Sequence, residues 1–198
     1  MFGCLPLFRL MTLAEVKQLL LDSLPEITLR PQSIEEWKGP FALPLEVVEY
    51  YEEIGPFELE IWGYGNPWYV PRLAMLWELQ AGYRYHPDTL ENLDGWSNEW
   101  LVLAYEGGDP FILDLQSGAV LHDLHGQGVW NPKPLFKNVL EMISVFGVLG
   151  GISLRASKDL TDDEGIRSKY QSEALTSLQS ILGSRERSVA LLEKLGWQ

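Results

Sequence analysis

Residues 100–122, WLVLAYEGGDPFILDLQSGAVLH, constrain the fold more than any other part of this chain. The stretch opens on a continuous apolar run, residues 100–105. Gly107, Gly108, Asp109 and Pro110 then interrupt it. A second run, residues 111–115, ends at Gln116, Ser117 and Gly118, and a third starts at Ala119. Runs this short, separated by Gly, Asp and Pro, predict neighbouring antiparallel strands and not a helix. Gly118 suits the left-handed position of a three-residue hairpin loop, where a side chain costs energy. The polar groups Glu106, Asp109, Asp114 and His122 fall at the strand ends, where a sheet can present chemistry or a binding surface.

Helical patterns surround this sheet. Thr12 and Glu15 have capping-box spacing, Leu13, Val16, Leu20 and Leu24 follow at helical intervals, and Pro25 ends the element. Ser33 and Glu36 repeat the cap over a shorter segment. Leu45, Val48, Tyr51 and Ile54 form a stripe that stops at Gly55-Pro56. Phe57, Leu59 and Ile61 alternate with Glu58, Glu60 and Trp62, the period of a strand with one wet face. Residues 63–67 read as a turn, 68–70 as the return strand, and Leu73, Leu76 and Trp77 as a short helix. Residues 81–98 lack periodicity and predict a long loop; loops of that length in compact domains carry function or move. Leu135, Val139, Met142, Ile143 and Phe146 predict a helix closing near Gly150-Gly151. Residues 156–165 read as a linker, with a helix start at Thr161–Glu164. Two amphipathic helices follow, ending at Gly183 and Gly196; they pack back on the domain or meet a partner.

The expected class is therefore α+β. A mostly antiparallel sheet carries helices on one side, plus a C-terminal helical extension. Residues 1–42 form an N-terminal helical segment packed on the domain, 43–150 the core, and 157–198 the extension. The chain is long enough for one ample core, and 46% hydrophobic residues exclude disorder. No run of apolar residues reaches the roughly 18 needed to span a bilayer. The apolar N-terminus lacks a basic region and a cleavage site, so it reads as a chain end that packs. A single cysteine, Cys4, makes no internal disulfide, which points to a reducing cytoplasm.

The net charge is −13, and it is unevenly distributed. Residues 39–132 hold 15 Asp and Glu against Arg72 and Arg84, while the rest of the chain balances 13 acids with 13 bases. Such a segment repels phosphate backbones, which argues against nucleic acid, and attracts basic proteins. Trp62, Trp68, Trp96, Trp100 and Trp130 lie in the same segment, and Trp is a favoured interface anchor. Trp100 enters an apolar strand and reads as core. Trp96 and Trp130 sit in loop-like sequence and read as partly exposed.

Chemistry is harder to find. His122 and His125 are three apart, which in a strand points them to opposite faces, so no metal is expected. Asp109 and Asp114 fit turn roles; a magnesium site would want a Lys or Arg beside them. Gly63-Gly65 and Gly107-Gly108 lack the spacing of a phosphate cradle. No nucleophile motif occurs. Neither a catalytic residue nor a cofactor is expected.

Leu43-Pro44, Gly55, residues 68–71, Trp100, Gly108-Asp109, Asp114 and Gly118 together resemble the pattern of the SUKH superfamily. That superfamily includes bacterial immunity proteins and relatives of a fungal cell-wall synthesis regulator. The resemblance covers residues 43–149. It implies an α+β binding fold without catalysis, often one that caps a secreted toxin, with Gly55, Trp100, Gly108, Asp114 and Gly118 as structural positions. The leading expectation is a bacterial, non-enzymatic protein that binds a basic partner, plausibly a toxin domain, in the cytoplasm. Its surface would join Glu58, Glu60, Trp62, Trp96, Glu99, Glu106 and Asp109. A second reading is a regulatory or scaffold module that holds a peptide or small ligand in an aromatic groove. A third is a hydrolase using Asp109 and Asp114.

Overall fold

The apolar runs of residues 100–122 do form neighbouring antiparallel strands. In the computed structural model, which describes residues 11–198, six strands lie in sequence order. They are β1 (Leu59–Ile61), β2 (Trp68–Val70), β3 (Trp100–Glu106), β4 (Asp109–Asp114), β5 (Val120–His122) and β6 (Lys133–Phe136). Every pair is antiparallel, so the sheet is a meander. Cys4 and the apolar N-terminal run lie outside the described residues.

One face of the sheet is the core. Leu59, Ile61, Trp68, Val70, Leu101, Phe111, Leu113 and Phe136 are buried in one cluster with helix α4 (Val139–Ala156). Trp68 stacks on Phe146, with ring centroids 4.5 Å apart and planes 7° from parallel, and Phe111 and Phe136 meet Phe146 edge-on. Helix α1 (Leu13–Ser23) starts on the capping box read from Thr12 and Glu15 and packs against α4.

α4 runs straight through Gly150 and Gly151, where the sequence pattern predicts its end. These glycines are contact points. A Cβ on Gly147 would lie 2.7 Å from Leu20 Cδ2, on Gly150 2.3 Å from Ile61 Cγ2, and on Gly151 2.8 Å from Ser23 Cβ. Close approach of α1 and β1 outweighs the helix cost of glycine, about 1 kcal/mol per residue. α4 also begins later than predicted. Leu135 belongs to β6, and Asn138 caps the helix by accepting from Glu141 N. The 21 residues Val139–Asp159 have a mean hydropathy of 1.6 in their most apolar window, enough by length and composition to cross a membrane; 78% of that window is buried inside the fold. The window includes Glu141 and Arg155, and the uncharged run between them, residues 142–154, stays shorter than 18 residues.

The stripe of Leu45, Val48, Tyr51 and Ile54 is displaced. Helix α2 (Leu45–Glu49) passes into a π-helical turn, Tyr50–Ile54, closed by Gly55 N donating to Tyr50 O at 3.1 Å. The wider turn brings Tyr50 and Tyr51 inward together and leaves Leu45 69% exposed. Gly55 is left-handed at φ 65°, and a Cβ there would lie 1.8 Å from Arg30 O. α3 (Leu73–Leu76) matches the short helix expected.

Residues 156–165 are neither a linker nor a helix start. Thr161–Asp162 (β7) and Gly165–Ile166 (β8) form a small hairpin, and α5 (Ser168–Leu182) starts after it. α5 packs on α4, and α6 (Arg185–Lys194) on α5. Ala174, Leu178, Leu182, Leu191, Leu192 and Trp197 join the same core cluster, so the terminal helices pack back.

Candidate binding surface

The face of the sheet turned away from α4 is divided in two by what covers it. Over β3–β5, Val102, Ile112 and Leu121 are buried although they face away from the core cluster. Residues 77–98 roof β3 at Val102. Gln80, fully buried, accepts from Val102 N and donates to Val102 O, both at 2.9 Å, and also donates to Leu76 O. Its amide takes the place of a neighbouring strand where β2 stops short. Arg84 donates to the carbonyls of Asn98 and Trp100 at 3.1 Å and lies over the Phe41 ring. Burial lowers its pKa while Glu99 pulls the other way. The long loop is therefore tied down along its length.

Trp96, Trp100, Trp130 and Tyr83 form a ridge on this roof. Trp96 meets Trp100 and Trp130 edge-on at 5.5 and 5.3 Å, and Tyr83 tilts against both Trp96 and Trp130. Tyr83 reaches the β3–β4 turn, donating to Gly108 O at 2.7 Å. Trp100 is half-buried here and is not core. Leu101 next to it faces inward, so Trp100 faces outward. Trp68 is the buried indole.

Over β1–β3 the face is open. The register places Glu60 opposite Tyr69, and Tyr69 opposite Tyr105, in one cross-strand row. Glu58 flanks it, with its Oε1 3.1 Å from Arg72 Nε. At the β3–β4 end, on the α4 side of the sheet, stand Glu106 and Asp109; the register pairs Glu106 with both Asp109 and the buried Trp68. Burial pushes the Tyr69 hydroxyl up, and Glu58 and Glu60 push it further. Tyr83 is pushed up to about 12 by burial, with Tyr105 and Asp109 adding. Glu106 is raised by burial, held back by the Trp68 indole that donates to it at 2.8 Å, and raised again by Asp109. Glu58 and Glu60 therefore act together on Tyr69, and Asp109 acts on Glu106 and Tyr83 at the β3–β4 end.

The expected surface therefore splits. Glu58 and Glu60 flank Tyr69 and Tyr105 on the open face, while Glu106, opposite the buried Trp68, and Asp109, opposite Glu106, stand at the β3–β4 end on the α4 side. Glu99 stands just before the opposite end of β3, about 20 Å away for a seven-residue strand, whereas the Trp96 ring meets Tyr83, whose hydroxyl reaches Gly108. Trp62 leaves the open face at the β1 edge and is 61% exposed. Of the two cations in the acidic segment, Arg84 is buried and Arg72 is occupied by Glu58. The tyrosines were not singled out in the sequence; only the strand register reveals that they share a row with Glu60.

The remaining positions hold turns. Asp109 accepts from His125 N at 2.8 Å, and His125 Nδ1 lies 2.5 Å from the same oxygen. Asp114 accepts from Gln116 N and Ser117 Oγ, and Gly118, left-handed at φ 74°, donates to Asp114 O. Gly108 lies beneath the His125 ring. Asp109 and Asp114 occupy the two ends of β4, about 17 Å apart for a six-residue strand, so they do not form a carboxylate pair. His122 packs on Phe111 at 4.7 Å, away from His125 in its turn. Among the described residues no group of three His, Cys, Asp or Glu is placed to hold a metal ion. Compared with known proteins, the chain matches no family model, no curated protein and no solved structure.

Proposed function

We propose that this chain is a non-enzymatic binding protein whose open sheet face grips a basic protein, in the manner of a SUKH-type immunity protein capping a toxin domain in the cytoplasm. The observation that carries this reading is the row Glu60–Tyr69–Tyr105 with Glu58 beside it and Glu106 and Asp109 at the β3–β4 margin. Carboxylates give long-range attraction and orientation. Tyrosines give contact area at low entropic cost. The fixed ridge of Tyr83, Trp96 and Trp130 beside the row limits rearrangement on binding.

Cross-linked capture from the native cell, followed by hydrogen exchange on the purified complex, tests this. The partner is expected to be a basic protein that protects amides of β2, β3 and the β3–β4 turn while leaving α5 and α6 unchanged. An acidic partner, or protection confined to the terminal helices, would contradict the reading.

A further inference from the structure

The two edges of the sheet are not alike. β6 carries Lys133 and Pro134, two devices that keep an edge strand from pairing with another chain. β1 has neither. Just before it, the chain is paired: Arg30 N donates to Gly55 O at 2.8 Å and Phe57 N to Thr28 O at 3.2 Å. Beyond Phe57 the two segments part, and among the described residues nothing pairs with the outer edge of β1.

A groove of about 390 Å³ opens where they part, between β1, the exit of α1 and the C-terminal half of α4. Leu24, Ile27, Trp62, Leu154 and Leu160 line it. Trp62 is 61% and Leu154 52% exposed, so its apolar walls are incompletely covered. The charged residues lining it are Glu26 and Glu60, with no cation among them. Ser153, 8% exposed, stands at the groove with a hydroxyl that has no hydrogen-bond partner. An apolar trough with an acidic rim, beside an unpaired strand, has a specific complement.

We infer that this groove binds an extended protein segment of alternating basic and apolar residues, which adds to β1 as a seventh strand. Residues opposite each other across paired strands share a face. A Lys or Arg facing Glu60 therefore lies on the open side, and its apolar neighbours turn toward the groove beside α4. Backbone pairing supplies affinity, and the alternation supplies specificity. β1 is three residues long, between Glu58 at φ 53° and the turn at Gly63, so the added strand is short. The inference rests on the binding-protein reading and adds to it a second point of attachment, at the margin of the open face.

The probe is a fluorescein-labelled Val-Lys-Val-Lys-Val peptide blocked at both ends, titrated against the full chain by anisotropy. Wild type is expected to bind it. Glu60→Lys and Leu154→Asp, both at exposed positions, are each expected to weaken binding roughly tenfold or more. The same peptide N-methylated at every residue is expected not to bind. Glu186→Gln, at an exposed position of α6, is expected to leave peptide binding unchanged. Absence of binding to wild type at millimolar peptide, equal binding of the N-methylated peptide, or indifference to both groove variants overturns the inference. Those outcomes leave the open-face reading standing on its own partner, whereas loss of that partner's binding with intact peptide binding removes the open-face reading alone.

Discussion

Gln80 shows what one buried side chain does for this fold. Its amide satisfies both backbone groups of Val102 on the edge of β3 that β2 no longer covers. Gln80→Leu keeps the bulk and orphans a buried N–H and C=O. A loss of about 2–4 kcal/mol is expected, since each unmet buried group costs roughly 1–3 kcal/mol. Urea unfolding checks this, with the midpoint falling at constant slope. Two titratable groups should tilt stability with pH in opposite directions. Glu106 is raised in the fold, mainly by burial, so its contribution is full at low pH and is lost as pH rises through its folded pKa. Glu106→Gln, which still accepts from Trp68, is expected to remove that loss, which sets in above the ordinary glutamate pKa. His122 is lowered by burial, with Lys194 adding to the effect and Asp109 and Asp123 opposing it. Its contribution is present above the ordinary histidine range and is lost as pH falls through the folded value. His122→Phe is expected to flatten stability below about pH 6.5.

Elements are where sequence and structure part company, and packing explains each difference. The hairpins of residues 100–122 were legible because their breaks are local: Gly118 and Asp114 make the turn by themselves. The α1 cap was legible for the same reason. The glycines of α4 were not, because their meaning lies in α1 and β1, far along the chain. β6 was hidden by Pro134 and by its position on an edge, where proline is tolerated. The hairpin of residues 161–166 copied a helix start, because Thr, Asp and Glu serve a turn as well as a cap. At the binding surface the acids were legible as a charge imbalance, but the tyrosine row needed the register. Gly150→Ala tests the packing account. In an open helix it would stabilise by about 1 kcal/mol. Here the new methyl meets Ile61, and a loss of about 1–3 kcal/mol from overpacking is expected. Ile61→Ala in the same chain should make Gly150→Ala nearly harmless; additive losses would count against the contact.

For the whole molecule, the sheet, α4 and the terminal helices share one cluster of buried side chains. A single calorimetric transition is expected, with calorimetric and van't Hoff enthalpies equal. Two separated transitions would mean that α5 and α6 fold apart from the rest. The charge asymmetry is also a property of the whole: balanced ends, and a middle whose cations are buried or paired. Such a field acts on encounter more than on the bound state. The most direct measurement is the association rate of the captured partner with wild type and with Glu58→Lys/Asp109→Asn, over a range of ionic strength. A basic partner should associate with wild type faster at low salt, and the double variant should be slower by roughly tenfold or more with a flatter salt dependence. Equal rates and equal slopes for the two proteins would contradict the claim that this face recognises its partner by charge.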